Sequence, residues 1–141
     1  MTPVVTLTDV PSAEAQAVIG DGLRRYSTEQ AGYHDGRSLA VLVSDPATHA
    51  VVGGLLGRTS LGLLFVDLFF LPADLRGQRL GSDVLAKAED EAKRRGCRAS
   101  VLYTISFQAP GFYERHGYRA FGTIPCDPPG TSRVFMVKDL V

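Results

Sequence analysis

The sequence predicts an α/β domain in which a mixed sheet carries helices on its faces. Strand-like and helix-like segments alternate in an order that mixes strand–helix–strand units with hairpins. Hydrophobic residues make up 45% of the chain and charged residues 21%, enough for a core and too apolar for wholesale disorder. One apolar run, residues 61–71, reads as a central strand covered on both faces. At 141 residues the expectation is a single domain over 1–141, without room for two independent cores.

Val4, Val5 and Leu7 read as a short first strand. Pro11-Ser12 opens a helix with Ser12 as N-cap, and Ala15, Val18, Ile19 and Leu23 recur at helical spacing. Gly20 and Gly22 weaken it, so a break and a second helix are expected near Tyr26. Strands at 39–43 and 51–56 flank the turn at Asp45-Pro46 and form a hairpin. Pro72 ends the 61–71 strand, because proline cannot donate to a ladder.

The clearest helix is 78–95, with Leu80, Val84, Leu85, Ala88 and Ala92 on one face and Gly96 as its stop. Asp83–Lys87, Glu89–Lys93, Asp90–Arg94 and Glu91–Arg95 are acid-before-base pairs at i,i+4. A strand at 99–104, a short helix at 109–116 and strands at 118–124 and 132–137 complete the order. The final strands are apolar and end almost at Val141, so an open edge there is expected to pair with a second copy as a homodimer.

Lys plus Arg and Asp plus Glu are 15 each, which argues against a nucleic-acid surface. The 61–71 run is about half a spanning helix and residues 1–10 lack signal-peptide features, so no membrane partner is expected. Cys97 and Cys126 form no CxxC and share no ligand spacing with His34, His49 or His116. Reduced thiols, a cytoplasmic location and no metal are the expectation.

The stretch from Leu71 to Ser82 carries the chemistry. A strand ends, a loop with Arg76, Gly77, Gln78 and Arg79 follows, and a strong helix begins at Leu80-Gly81-Ser82. A helix N-terminus presents unpaired N–H groups and a positive partial charge, and the glycines let a phosphate approach the backbone. The arginines add positive charge. The local reading is a pyrophosphate-type anion site, with an ordinary glycine turn as the alternative; neither GxxxxGK[ST] nor GxGxxG is present.

A second stretch, Ala109-Pro110-Gly111-Phe112-Tyr113-Glu114-Arg115-His116-Gly117-Tyr118, puts two aromatics on a short helix before a glycine stop. Here the chain resembles the GNAT superfamily of acyl-CoA-dependent N-acetyltransferases. Arg76-Gly77-Gln78-Arg79-Leu80-Gly81 is similar to that family's [R/Q]-x-x-G-x-[G/A] loop. Ala109, Phe112, Tyr113, Gly117 and Tyr118 are similar to its A-x-x-F-Y-x-x-x-G-[F/Y] motif, and residues 67–72 look like its fourth strand. Arg79 departs from the usual glycine, and Ser106 stands where many members have asparagine.

The resemblance implies a mixed, mostly antiparallel sheet of six or seven strands, splayed beside the cofactor loop. It implies acetyl transfer from acetyl-CoA to a primary amine of a small molecule or peptide, by direct attack in a ternary complex. Leu68 and Phe70 would pair with the pantetheine arm through their backbones, with the Leu68 N–H as oxyanion donor. Residues from Gly77 to Ser82 would hold the pyrophosphate, with Arg76, Ser106 and Ala109 beside the cofactor. Tyr113 is the candidate acid for the leaving thiolate, and a core aromatic otherwise. Asp67 is the candidate base, or else a structural carboxylate in a strand where charge burial is costly. Tyr26, Glu29 and Tyr33 are expected on the acceptor wall, Glu29 being a weaker base candidate. His116 reads as a surface residue near a helix end. The alternative function is a non-catalytic acyl-CoA sensor, and a partner scaffold built on the 125–130 loop is a third idea.

Overall fold

The computed structural model describes all 141 residues, which fall into two compact units, Met1–His34 and Asp35–Val141. In the first unit a single helix, α1 (Ala13–Ala31), follows extended chain. The Ser12 hydroxyl caps it by accepting the Ala15 N–H at 3.0 Å. Gly20 and Gly22 lie inside α1 without breaking it, so the second helix expected near Tyr26 is its continuation. Residues 4–7 join no strand, because apolar alternation makes a strand only where a ladder partner is available.

The second unit holds six strands: β1 (Arg37–Ser44), β2 (Val51–Ser60), β3 (Leu63–Phe70), β4 (Ala99–Ile105), β5 (Arg119–Cys126) and β6 (Thr131–Asp139). Their order in the sheet is β1-β2-β3-β4-β6-β5. Every neighbouring pair is antiparallel except β3 and β4, as expected for a mixed, mostly antiparallel sheet. Two helices, α2 (Leu80–Arg94) and α3 (Pro110–Arg115), and a 3-10 turn, Ala73–Leu75, complete the unit.

The β1–β2 hairpin turns where Asp45 predicts it. Its Oδ1 accepts the N–H groups of Ala47 at 2.7 Å and Thr48 at 3.1 Å. The strand read at 61–71 starts two residues later. Leu61 and Gly62 have φ of +47° and +87°, the two left-handed residues of a tight hairpin turn, and β2 runs on to Ser60 to meet β3. The apolar character of Leu61 hides that turn in the sequence. Nor is β3 covered on both faces throughout: Leu64 and Val66 are buried, but Leu68 and Phe70 are 65% and 58% exposed.

The last strand is not an edge. β6 lies between β4 and β5, and β5 is the edge on that side, as β1 is on the other. A register shift near Phe121 and the proline at 125 interrupt β5, features that discourage edge-to-edge pairing.

The core forms where α2 lies on the sheet. Val84, Leu85, Ala88 and Ala92 pack with Leu39, Leu55, Leu64, Leu102 and Met136, all buried. Of the four expected i,i+4 pairs only Glu91–Arg95 forms, at 2.8 Å. Arg95 also reaches the Ser38 carbonyl at 3.1 Å and the Thr59 hydroxyl at 3.0 Å, which ties the end of α2 to β1 and β2. The Arg95 and Arg94 guanidiniums hold the Glu91 carboxyl below the usual carboxylate range.

Glu89 turns inward. It is 6% exposed and accepts from Lys138 Nζ at 2.7 Å and from the Tyr118 hydroxyl at 2.9 Å. The Tyr118 hydroxyl also meets Ser100 Oγ at 2.8 Å. One buried polar network therefore joins α2, β4, β6 and the segment after α3.

Candidate active site

The site begins where β3 leaves its neighbours. β3 pairs with β4 only over Leu63–Phe65 and Ala99–Val101, so beyond Phe65 and Val101 the two strands are no longer bonded to each other. On its other side β3 bulges. Val66 is opposite Gly57 and Leu68 opposite Leu56, leaving Asp67 as the extra residue. A bulge bends its strand and re-aims its side chains. The open sides of Leu68 and Phe70, and the exposure of both residues, lie along this departure.

Asp67 is not buried, which corrects the expectation of a costly charge inside an apolar strand. Its side chain is 48% exposed and lies 3.5 Å from Arg58 Nε. The bulge carries the carboxylate out of the ladder, so solvent and Arg58 share its charge.

The loop after β3 is held by its own polar side chains. Arg76 Nε donates to the Leu71 carbonyl at 2.8 Å, and Gln78 Nε2 to the Asp74 carbonyl at 3.3 Å. Gly77 and Arg79 both have left-handed backbones, with φ of +79° and +66°. Arginine pays for that conformation, on the order of 1 kcal/mol, where glycine would adopt it freely. Arg79 is the N-cap residue of α2 and makes no side-chain cap bond. The Asp83 N–H is the one that closes the first turn, onto the Arg79 carbonyl at 3.0 Å. The N–H groups of Leu80, Gly81 and Ser82 therefore precede the helical ladder, with the positive end of α2 behind them.

Gly81 lets α3 close on this turn. A Cβ there would stand 3.2 Å from the Phe112 ring. Phe112 in turn stacks on His116, with centroids 4.4 Å apart, and packs edge-on against Phe69 at 5.9 Å. His116 is not a free surface residue. Its Nε2 lies 2.8 Å from Ser82 Oγ and its Nδ1 2.8 Å from the Phe112 carbonyl oxygen. The i,i+4 spacing from Phe112 was the only trace of this in the sequence.

Tyr113 is 8% exposed and packs against Phe69, Phe112 and Tyr118 with centroid separations of 6.4, 5.3 and 5.6 Å. Burial pushes its phenol up to about 12, so it is protonated at neutral pH. Tyr118 is raised too, by burial first.

Ser106 ties β4 to β6: its N–H donates to the Ser132 carbonyl at 2.8 Å and its hydroxyl accepts the Ser132 N–H at 3.0 Å. Ala109 caps α3, with its N–H 3.4 Å from Thr104 Oγ1. Gln108, absent from the sequence-based set, clamps this corner by accepting from the Ile105 N–H at 2.9 Å and the Thr104 hydroxyl at 3.2 Å. The second unit thus brings Asp67, Leu68, Phe70, residues 76–82, Ser106, Ala109 and Tyr113 onto β3, β4 and the segments that follow them. Tyr26 and Glu29 lie on α1 and Tyr33 just after it, all in the first unit.

A strand departing from its parallel neighbour beside an uncapped helix N-terminus is the arrangement expected from the resemblance, and comparison with known proteins agrees. The family model described as "Acetyltransferase (GNAT) family" matches residues 7–118. The chain is 36% identical over 132 residues to the acetyltransferase Atu2258 of Agrobacterium fabrum, covering 94% of this chain and 96% of that protein. It is 45% identical over 91 residues to blasticidin-S acetyltransferase of Streptomyces morookaense, covering 64% and 67%. A crystal structure of an acetyltransferase from Bacillus cereus superposes with a TM-score of 0.78 at 26% identity, covering 95% of this chain and 97% of that one. The chain is an acetyltransferase and belongs to the GNAT family.

Proposed function

We propose that the protein transfers an acetyl group from acetyl-CoA to a primary amine of a small molecule, by direct attack in a ternary complex. The observation that carries this reading is the separation of β3 from β4 beside the free N-terminus of α2, with Tyr113 packed on Phe69 at the same place. Acetyl-CoA supplies an activated thioester and a pyrophosphate. The N–H groups of Leu80, Gly81 and Ser82 suit the pyrophosphate. The backbone of Leu68 and Phe70 is free on the β4 side to pair with an extended ligand arm. In this reading the Leu68 N–H donates to the developing oxyanion and Tyr113 donates to the departing sulfur. Arg76, Gly77, Gln78, Arg79, Ser106 and Ala109 form the rest of the cofactor wall, partly by holding its loops.

The acetyltransferase domain spans 1–141 in this reading, supported by a family match that runs across both compact units. Tyr26, Glu29 and Tyr33 of the first unit are the residues proposed for the acceptor side. The name of the blasticidin-S relative favours a small-molecule amine over a peptide. No helix is long and apolar enough to cross a membrane, and the reading places the enzyme in the cytoplasm. The test is thermal unfolding with and without acetyl-CoA, followed by thiol release over an amine panel that includes blasticidin S. Acetyl-CoA should raise Tm, and at least one amine should release thiol. Neither acetyl-CoA nor CoA shifting Tm at saturation would refute the reading, and binding without turnover on any amine would leave an acyl-CoA sensor.

Asp67 is proposed as the base that takes a proton from the acceptor amine, through water given its exposure. Alkyl amines are protonated at neutral pH, so the rate should rise with pH. Asp67→Asn should lower kcat by about tenfold or more while leaving the acetyl-CoA Kd near wild type. A wild-type kcat in this variant would remove Asp67 from the mechanism.

A homodimer belongs to the same proposal. Phe121 and Ile124 of the open strand β5 are 60% and 56% exposed, although the bulge and Pro125 oppose strand-to-strand pairing. Light scattering should give twice the chain mass at micromolar concentration; the monomer mass would reject it.

A further inference from the structure

The Ser82–His116 contact sets a condition on how the hydroxyl can serve an anion. A carbonyl oxygen only accepts, so the His116 Nδ1 that lies 2.8 Å from the Phe112 carbonyl carries a hydrogen. In the neutral ring Nε2 is then the acceptor, and the Ser82 hydroxyl, 2.8 Å away, spends its single hydrogen on it. Ser82 is the third residue of α2, and its N–H is one of the three that precede the helical ladder. A phosphate oxygen held by those N–H groups would gain a further hydrogen bond if the hydroxyl beside it donated. One hydrogen cannot serve both the imidazole and the phosphate. The conflict disappears when Nε2 takes up a proton: the imidazolium donates to Ser82 Oγ and the hydroxyl turns its hydrogen to the anion.

Resting on the acetyl-CoA reading above, we propose that His116 is a positioning residue for the cosubstrate: it holds the Ser82 hydroxyl in the free enzyme and releases it to the pyrophosphate by binding one proton from solvent. No covalent bond changes, and the proton returns to solvent when the cosubstrate leaves. The charged groups on the surrounding elements are Arg79 at the N-cap of α2, Asp83 in its first turn, Glu114 and Arg115 on α3, and Lys138 of β6. The Lys138 side chain passes Gly117 and is held by Glu89 at 2.7 Å. The Phe112 ring covers one side of the imidazole and keeps it in register with Ser82.

The proposal predicts proton uptake on binding that depends on the Ser82 hydroxyl, whereas a histidine answering only to the anion's charge would take up the same fraction with or without it. CoA binding is measured by calorimetry at pH 7.5 in two buffers of different ionisation enthalpy, for wild type and for Ser82→Ala. CoA's own phosphate titration is common to both proteins and cancels in the difference. Wild type should take up about half a proton more than Ser82→Ala. Its Kd should also rise about fivefold more than the variant's between pH 6 and 8.5. Equal uptake and parallel Kd profiles would overturn the proposal.

NMR titration of the His116 ring in unmutated protein gives a second reading that no folding defect can obscure. Its midpoint should move up by on the order of one pH unit when CoA is bound. An unmoved midpoint with CoA demonstrably bound overturns the role of His116 alone. Failure of the wild-type protein to bind CoA overturns the acetyl-CoA reading and this inference with it.

Discussion

Lys138→Met should lower the unfolding free energy by about 3 kcal/mol, the low end for breaking a buried ion pair. Glu89 is the reason. Its carboxylate is buried against α2 and the sheet, and Lys138 Nζ at 2.7 Å is its cation. Without that ammonium only the Tyr118 hydroxyl still donates to it. The loss lies at the low end because the Lys138 side chain is itself partly exposed. Tm should fall by roughly 10 °C for a domain of this size. The double variant Lys138→Met, Glu89→Gln should recover most of the loss, because no unpaired charge then stays in the core. A Tm within about 2 °C of wild type in the single variant would show that the pair holds nothing.

Tyr113→Phe should lower kcat by about tenfold to a hundredfold, the lower part of the general-acid range. The ring stays, so the contacts to Phe69, Phe112 and Tyr118 survive and the acetyl-CoA Kd should change little. Burial explains why the effect is not larger. A phenol pushed to about 12 is a weaker acid than a thiol near 8.5, so complete proton transfer to the departing thiolate is uphill. In the proposed role the hydroxyl would then serve chiefly as a hydrogen-bond donor to the sulfur. The phenol stays protonated throughout the working range, so the kcat–pH profiles of variant and wild type should be parallel below pH 10. Above it the sign is set by linkage. The unfolded phenol loses its proton near pH 10 while the folded one keeps it to about 12, so the Tyr113 contribution to stability falls between those values. A structural tyrosine would instead show altered Tm with kcat unchanged, and that result would end its role as the acid.

The same two networks show how far the sequence could be read. The helix at 80–94 and its buried face followed from periodicity, because a 3.6-residue repeat and a glycine stop are local properties. The β1–β2 hairpin followed from Asp45, whose side chain makes the turn by itself. The free N–H groups at the start of α2 were also legible, since they belong to any helix start.

What failed to read out of the sequence depended on partners distant along the chain. The strand expected at residues 4–7 had no ladder to join, and nothing local could reveal that. Leu61 was counted into a strand because turn geometry at a leucine leaves no compositional mark. Glu89 looked like a surface partner for Lys93 and found Lys138 and Tyr118 instead, 49 and 29 residues away. Asp67 looked buried because its neighbours are apolar, and only the slip in register between β2 and β3 carries it to solvent.

By itself, the sequence determined most of the element types after residue 35, the mixed sheet and, through two short motifs, the family, because these rest on spacing along one segment. Tertiary structure decided the order of strands, the parting of β3 from β4, and which hydroxyl, imidazole and carboxylate face one another. Those depend on segments tens of residues apart meeting in space, and pairwise chemistry between them has no signature in either segment alone.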